Sequence, residues 1–274
     1  WNRLIKEPKT NVSLKIEKTT NPDEFYVSGR GELHLSVLVE NMRREELEFQ
    51  VSKPSVITHY VNNILHEPYE LLTIDTKNEY IGSLTEELSR RLATLVDIKN
   101  DHNNHNIRHI YKIPTRGLIG LRSFFLRITR GNGFMNTEII QSEPLKGEVK
   151  SNRSGTIIST ETGTATAYSI TSIQHHGELF IFPQALVYEG MIIGKQNKPS
   201  DLSVNVCKEK KLTNHRASSA DISDHINIPV QFSLDESLSF ISGDELVEVT
   251  PKSFRMRKKI LKSEIREKKL KNKS

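Results

Sequence analysis

One segment of this 274-residue chain combines side chains that bind phosphate and sugar oxygens. It runs from Cys207 to Ser219 and contains Lys, Arg, Asn, His and hydroxyl groups with almost no apolar residues. Lys and Arg neutralise phosphates, Asn, Ser and Thr hydrogen-bond to phosphate or sugar oxygens, and the ring of His215 can stack on an unpaired base. The composition predicts an exposed RNA-binding loop, with a disordered polar loop as the alternative. The candidate RNA-binding residues are Lys208, Lys210, Lys211, Thr213, Asn214, His215, Arg216, Ser218 and Ser219.

Residues able to carry catalysis are harder to find. The sequence contains no G-x-x-x-x-G-K-[ST] loop for nucleotide phosphates and no G-x-S-x-G nucleophile turn. Cys207 is the single cysteine, and nothing near it supports a thiol nucleophile. The glycine-rich turn Arg130–Gly133 could approach a phosphate, but a tight connection between a helix and a strand explains it equally well. We predict no catalytic residue in this chain.

Three histidines, His102, His105 and His109, are spaced closely enough to resemble a metal-binding run. A zinc site needs three or four ligands in a defined shell. The neighbouring residues are typical of an Asn-rich turn, and His109 belongs to an expected strand, so we predict no metal site and no cofactor. An enzyme that uses a metal held by these histidines is an alternative, which a metal assay on pure protein would test.

The charge of the chain is strongly segregated. The formal net charge is +5, yet residues 252–274 contain eleven Lys or Arg and two Glu and therefore carry +9, which leaves −4 for the rest. Segregation on this scale indicates directed electrostatics rather than general solubility. The alternative interpretation is that the Lys-rich C-terminus is a frayed, solvated helix end. We expect this basic tail to be helical from Phe254.

Composition excludes two other classes of protein. No run approaches the ~18 consecutive apolar residues that a membrane-spanning helix needs, and one cysteine cannot build a disulfide scaffold. The start of the chain, Trp1–Lys6, has no apolar run behind its charge and hence no secretory signal. Because it also lacks Met, we expect the chain to begin inside a longer protein, in the cytoplasm or an organelle matrix.

Two similar patterns of elements occupy the first half of the chain. Residues 1–53 predict helix, strand, strand, helix, strand. Residues 69–142 predict β-α-β-β-α-β, the ferredoxin-like unit, with helices over Ile81–Leu95 and Gly117–Ile128. The first pattern is the same unit without its opening strand, and residues 54–68 link the two domains.

Residues 143–274 differ in character and predict a mainly β, barrel-like domain. Short β-prone runs, among them Thr164–Ile173, alternate with Gly and Pro. Ser233 and Glu236 match a capping box, which predicts a short helix over Leu234–Ile241. The predicted fold class is therefore α+β: two tandem ferredoxin-like domains, the first truncated, followed by a β domain with a basic tail.

Six runs of sequence, spread in order over the whole chain, carry a resemblance to a known family. They are Val27–Leu35, Glu40–Glu45, Pro114–Gly120, Glu161–Tyr168, Lys210–Asn214 and Asp244–Pro251. These runs resemble translational GTPases of the BipA/TypA family. The fourth, fifth and sixth runs are typical of BipA rather than of its relatives elongation factor G and LepA.

The resemblance implies a place for this chain within a larger protein. The family has a GTP-binding domain and a β-barrel domain, then two ferredoxin-like domains and a C-terminal domain of its own. This chain is similar to the last three, so GTP, Mg²⁺ and GTP hydrolysis would belong to a domain that it does not contain. By this resemblance the fragment is not an enzyme, whereas its parent is a GTPase.

The resemblance also implies partners. In the family, a basic loop of the C-terminal domain contacts large-subunit ribosomal RNA and the acceptor end of A-site tRNA, and the matching segment here is Lys208–Ser219. The basic tail would add phosphate contacts through Arg255, Arg257, Lys258 and Lys259. The family acts in stress and cold adaptation and in large-subunit assembly.

Further expectations concern the state of the protein. We expect a monomer in the bacterial cytoplasm or the plastid stroma, without a membrane or a small-molecule substrate. A stand-alone RNA-binding or ribosome-assembly protein, without a GTPase domain, is the alternative to the family-based interpretation.

Overall fold

The computed structural model describes residues 1–100, 106–149, 153–209 and 226–271. Its contacts divide the chain into two compact units. The first contains Trp1–Glu32 and Pro54–Asn152, and the second contains Leu33–Lys53 and Arg153–Ser274. Within the described ranges, no helix has the length and apolar character needed to cross a membrane.

The α-helices and strands of the described residues are numbered separately, in the order of the chain. The helices are α1 (Glu7–Thr10), α2 (Glu32–Arg44), α3 (Asn78–Arg90), α4 (Thr115–Leu118), α5 (Leu121–Ile128), α6 (Ala167–Ile173), α7 (Leu234–Phe240) and α8 (Ser263–Lys271). The strands are β1 (Lys15–Lys18), β2 (Phe25–Ser28), β3 (Phe49–Ser52), β4 (His59–Val61), β5 (Ile64–Lys77), β6 (Thr94–Asn100), β7 (Asn106–Pro114), β8 (Phe134–Pro144), β9 (Thr156–Ser159), β10 (Gly163–Thr164), β11 (Gly177–Leu179), β12 (Leu186–Val187), β13 (Met191–Gln196), β14 (Leu202–Val204), β15 (Glu245–Val249) and β16 (Phe254–Lys258).

The first unit contains the predicted β-α-β-β-α-β pattern. Strand β5 lies between β7 and β8, β6 pairs with the other side of β7, and all these pairs are antiparallel. Helix α3 follows the first of these strands and α4–α5 follow the third, which is the ferredoxin-like order. Their core contains the fully buried side chains of Leu72, Leu88 and Phe125. The α+β class is confirmed.

The second helix of this domain is interrupted, although its sequence predicts one helix over Gly117–Ile128. Gly120 has a φ of +72°, in the left-handed region that favours glycine, and separates α4 from α5. Its amide donates a hydrogen bond to Oε2 of Glu32 at 2.9 Å. The interruption therefore lets a backbone donor bind a carboxylate of the same unit.

The second unit is built on a seven-stranded sheet. Its strands run in the order β14-β9-β13-β16-β15-β3, and β11 also pairs with β13. In the described residues this sheet is open, with β14 and β3 at its two ends, rather than a closed barrel. One core, which includes Ile157, Ile170 and Ile193, packs with α6, and a second, which includes Leu238 and Val247, packs with α7.

Residues 1–53 contain the predicted order of elements, but their strands do not share one sheet. Strands β1 and β2 form a two-stranded sheet in the first unit, whereas β3 pairs with β15 in the second. The side chains of Phe49 and Val51, at alternate positions of β3, pack against the core that contains Val247. Burial of this apolar face fixes β3 in the second unit.

Two predicted elements of the second unit are wrong. The run Thr164–Ile173 is β-prone in composition, yet most of it forms α6, because Thr166 caps the helix and Ile170 and Ile173 fall on one buried face. The tail is a strand, not a helix, from Phe254 to Lys258. Its residues alternate between the two faces of the sheet, and a helix begins only at Ser263.

Candidate nucleic-acid interface

Lys208, the first residue of the basic segment Lys208–Ser219, is bound at the start of α6. The carbonyl oxygen of Lys208 accepts hydrogen bonds from Oγ1 of Thr166 at 2.6 Å and from Oγ of Ser169 at 2.7 Å. The amide of Thr166 donates to the carbonyl oxygen of Val206 at 3.1 Å. These bonds hold the chain beside the first turn of the helix, while the side chain of Lys208 stays exposed.

The chain returns at the other end of the same helix. The amide of Asn227 donates to Oε1 of Gln174, the residue after α6, at 3.1 Å. Ile226 packs on the core that contains Ile170, and the amide of Val230 donates to the carbonyl oxygen of Leu179 at 2.8 Å. Residues 210–225 therefore connect two points that are both anchored on α6 and the turn after it.

Most of the predicted RNA-binding residues lie between these two anchors. Lys208 is described and exposed. The others lie outside the described residues: Lys210, Lys211, Thr213, Asn214, His215, Arg216, Ser218 and Ser219. The structure thus gives the attachment of the segment, and the part of these residues in binding stays a prediction.

Three of the four predicted tail residues lie on strand β16. Arg257 pairs with Glu248, with 2.9 Å between Nε and Oε1, and its Nη2 donates to Oε1 of Gln50 at 2.5 Å. The hydroxyl of Tyr188 donates to the same carboxylate at 2.7 Å. Burial, and then the carboxylate of Glu248, raise the pKa of Tyr188 above its ordinary value. Arg255 lies two residues from Arg257 and is half-buried.

Lys258 is buried in a cluster of carboxylates. Its Nζ lies 2.6 Å from Asp201, 2.9 Å from Asp244 and 2.8 Å from Glu245, and its side chain is 5% exposed. Arg153 binds the other oxygen of Glu245 at 2.7 Å. An ammonium group held by three carboxylates cannot reach an external phosphate, so the predicted phosphate contact of Lys258 is corrected to a structural role.

Burial and ion pairing compete in this cluster. Burial opposes ionisation of Asp201 and Glu245, but hydrogen bonds from Lys258 and Thr156 to the first, and from Arg153 and Lys258 to the second, hold both pKa values below the ordinary range. Burial likewise opposes the charge of Lys258, and its bonds to Asp201 and Glu245 outweigh it and raise its pKa. All these groups are therefore charged at neutral pH.

The same three acids are the candidate metal ligands of the described residues. Asp201, Asp244 and Glu245 form the one group there whose ligand atoms all lie within 4.8 Å of one another. The ammonium of Lys258 is within hydrogen-bond distance of all three, so a resident lysine already supplies the positive charge that a metal ion would bring.

His109 faces the core of the ferredoxin-like domain. Its Nδ1 lies 3.3 Å from the hydroxyl of Tyr111, and burial lowers the pKa of the imidazole. The other two histidines of the run, His102 and His105, lie outside the described residues. Of the three, the structure thus places one, in a buried hydrogen bond to a tyrosine.

Other basic side chains of the described tail lie on helix α8 and before it. The amide and hydroxyl of Ser263 donate to Oε1 of Glu189 at 2.8 and 3.3 Å, which fixes the start of the helix. Lys259 precedes it and is exposed. The exposed lysines at the far end of α8 are Lys268, Lys269 and Lys271.

Sequence analysis missed the residues that hold the segment. Thr166 and Ser169 lie in the run Thr164–Ile173, which was predicted to be β-prone, and Gln174 follows it. A usable signal existed, because a Thr three residues before a Ser, followed by Ile at positions 170 and 173, fits a capped helix with one apolar face.

Comparison with known proteins gives two family matches. Residues 154–263 match the family described as TypA/BipA C-terminal domain, and residues 64–153 match the one described as elongation factor G C-terminus. The boundary between the two matches lies next to Arg153, the first residue of the second unit after residue 53.

Individual relatives agree with the family matches. The chain is 45% identical to the large ribosomal subunit assembly factor BipA of Bacillus subtilis over 99% of its length and 44% of that protein. It is 46% identical to the protein of the same name from Haemophilus influenzae, over 94% of the chain and 42% of that protein. A chloroplastic TypA-like protein of Arabidopsis thaliana is 40% identical over 93% of the chain and 38% of its own length. The chain thus spans less than half the length of these curated relatives.

Proposed function

Because this chain belongs to the TypA/BipA family, we propose that it is the ribosome-docking part of a translational GTPase. In this proposal the segment Lys208–Ser219 binds large-subunit ribosomal RNA and the acceptor end of A-site tRNA. The observation that supports it best is that the described chain on either side of residues 210–225 is bound to one helix and its end: Lys208 at the start of α6, and Asn227 at Gln174, the residue after it. The helix between these two contacts is short, capped by Thr166 and packed on a buried core.

Charge supports the same partner. The segment contains Lys208, Lys210, Lys211 and Arg216 against Glu209 alone, and α8 adds exposed lysines. Positive charge in such density favours a polyanion over an apolar partner. Arg255 and Arg257 are a weaker source of phosphate contacts, since Arg257 is already bound to Glu248 and Gln50.

We assign GTP hydrolysis to the part of the whole protein that lies outside this chain. The relatives are more than twice as long as their match to it, and the chain contains no G-x-x-x-x-G-K-[ST] loop. In this proposal the chain itself positions the protein on the large subunit, and the whole protein acts in large-subunit assembly and in adaptation to stress and cold.

Co-sedimentation with large ribosomal subunits over a range of salt concentrations tests the proposal. The variant combining Lys210→Ala, Lys211→Ala and Arg216→Ala should bind more weakly. The slope of log affinity against log salt should also flatten by up to about one for each lost phosphate contact. A control variant with Lys6→Ala, Lys9→Ala and Lys15→Ala removes the same charge at exposed positions of the first unit. If the segment variant binds with the wild-type slope, the segment does not touch phosphates and the proposal is wrong.

A further inference from the structure

Two aromatic rings of the second unit lie on its surface. Tyr168 is 47% exposed and Phe182 is 50% exposed. Other aromatic rings of this unit are packed together, as in the pair Phe180 and Phe232, whose ring centroids are 4.8 Å apart. The exposure of Tyr168 follows from the phase of α6, because Ser169, Ile170 and Ile173 occupy its buried face.

Backbone hydrogen bonds bring the two rings to the same part of the fold. The turn from Phe182 to Ala185 is bound to Ala165 in both directions. The amide of Ala165 donates to the carbonyl oxygen of Ala185 at 2.9 Å, and the amide of Gln184 donates to that of Ala165 at 2.8 Å. Tyr168 lies three residues beyond Ala165, in the first turn of α6.

The backbone of a cationic residue is held at the start of the helix that carries Tyr168. The hydroxyls of Thr166 and Ser169, on either side of Tyr168 in the sequence, hold the carbonyl oxygen of Lys208. Lys208 itself is exposed and begins the basic segment. Exposed aromatic rings combined with positive charge are the composition of surfaces that bind unpaired nucleic acid, where bases stack on rings and cations meet the backbone.

We propose that Tyr168 and Phe182 stack on unpaired bases of single-stranded RNA, while Lys208 neutralises an adjacent phosphate. This inference rests on the proposed function and adds base stacking to the electrostatic binding of RNA. Stacking requires bases that are free of a duplex, so the surface discriminates unpaired RNA from double-stranded RNA. Tyr168, the last residue of the run Glu161–Tyr168, would form this surface together with the turn at Phe182.

The proposal divides the binding free energy into a stacking contribution and an electrostatic contribution, and a salt titration can separate the two. The probe is a labelled uridine RNA of roughly twelve nucleotides, with a duplex of equal length for comparison. Tyr168→Ala and Phe182→Ala should each weaken binding of the single strand about five-fold or more without changing the salt slope. Lys208→Ala should reduce the slope by about 0.7, the value for one phosphate of a single strand.

Conservative and control variants guard against effects on folding. Tyr168→Phe keeps the ring and should bind like the wild type, whereas Tyr168→Leu keeps apolar area without a π-face and should bind weakly. Tyr60→Ala removes a tyrosine that is 74% exposed in the first unit, and Lys198→Ala removes an exposed lysine of the second unit. Neither control should change binding, and the far-ultraviolet circular dichroism of every variant should match the wild type.

The possible outcomes distinguish this proposal from the proposed function. If Tyr168→Ala and Phe182→Ala bind the single strand like the wild type, or if the wild-type chain prefers the duplex, the stacking proposal is wrong. The same holds if the wild-type chain binds large ribosomal subunits but not the single strand. Loss of stacking leaves the salt-dependent binding of Lys210, Lys211 and Arg216 to ribosomal subunits in place, and that measurement alone decides the proposed function.

Discussion

At the scale of single residues, Lys258 is the side chain whose replacement should lower the free energy of unfolding most. Its ammonium is shared by Asp201, Asp244 and Glu245 and is nearly inaccessible to solvent. Removing one partner of a buried ionic group leaves the others uncompensated, which costs about 3–5 kcal/mol. The cost here lies near the lower limit, because Asp201 and Asp244 are 42% and 66% exposed and can regain water.

We predict that Lys258→Met lowers the free energy of unfolding by about 3 kcal/mol at pH 7. Methionine keeps most of the length of the side chain, so the loss reports on charge rather than on volume. Urea unfolding followed by circular dichroism measures it, and Lys259→Met, at the exposed neighbouring position, is the control. A loss no larger than that of the control would show that the cluster is not held by this lysine.

The same variant should reverse the dependence of stability on pH. In the wild type, the lowered pKa values of Asp201 and Glu245 stabilise the fold above their unfolded values near ~4, and this is lost as pH falls through the folded values. The raised pKa of Lys258 stabilises the fold below ~10.4 and is lost as pH rises through its folded value. Without the ammonium, the carboxylates repel each other. The variant should therefore gain stability from pH 7 to pH 5, where the wild type does not.

Sequence could not identify this role, because Asp201 and Lys258 are separated by a long stretch of chain. Their side chains meet only because β16 lies in the middle of the sheet, with β13 on one side and β15 on the other. A basic run in a sequence predicts side chains that are exposed to solvent. Only the pairing of the strands shows that one charged side chain of this run, Lys258, is buried.

At the scale of elements, α6 depends on one side chain at its start. Oγ1 of Thr166 accepts from the amide of Ser169 at 3.2 Å and also donates to the carbonyl oxygen of Lys208. Loss of an N-cap hydroxyl costs about 1 kcal/mol. The second bond links the cap to the point where the basic segment begins.

We predict that Thr166→Val lowers the free energy of unfolding by about 1–2 kcal/mol and speeds hydrogen exchange at the amide of Ser169. Thr166→Ser keeps the hydroxyl and should restore both quantities. Thr171→Val is the matched control, because Oγ1 of Thr171 donates to the carbonyl oxygen of Ala167 within the helix. If Thr166→Val and Thr171→Val lowered the free energy of unfolding equally, the N-cap hydroxyl of Thr166 would contribute no more than a hydroxyl inside the helix, and the prediction would be wrong.

The elements that sequence predicted correctly are those with local causes. The helix over Leu234–Phe240 has the capping box of Ser233 and Glu236 in full, and such a box is complete within four residues. Strand β16 was missed because its charged positions, Arg255 and Arg257, dominate the composition, although Phe254 and Met256 alternate with them. An alternation of apolar and charged residues over so few positions is hard to recognise in a run that is rich in lysine and arginine.

At the scale of the whole molecule, the two sheets of the first unit differ in the number of their strands and in the burial of their side chains. Strands β1 and β2 form a sheet of two strands with no buried residue in either. Strand β5 is paired on both sides, and Leu72 and Ile74 on it are buried. An isolated pair of strands is marginal in water and leaves its edges open.

We predict that amide hydrogens of β1 and β2 exchange faster with solvent than those at the centre of β5 and β7. The reason is local opening, which requires less free energy where few apolar contacts are broken. Native-state hydrogen exchange read by mass spectrometry or by NMR measures the difference. Equal protection of the two sheets would contradict the prediction that the region 1–53 is less stable than the region 69–142.

The predicted domain boundaries, 1–53, 69–142 and 143–274, remain predictions drawn from periodicity. The compact units group residues 33–53 with the C-terminal part, since Val39 and Val51 pack with Val247 and its neighbours. Hydrophobic periodicity shows that a strand has an apolar face, but it does not show which distant core will bury that face.

The pairing of β3 with β15 also sets an order of events during synthesis. About 200 residues separate the two strands, and at roughly 5–20 residues per second a ribosome needs about 10–40 s to make that length. Throughout that interval the emerging β3 has no partner for its hydrogen bonds, and the apolar side chains of Phe49 and Val51 have no core to enter. The second unit therefore cannot finish folding in the order in which it is translated. Its earliest strand must be kept from aggregation until its latest ones appear.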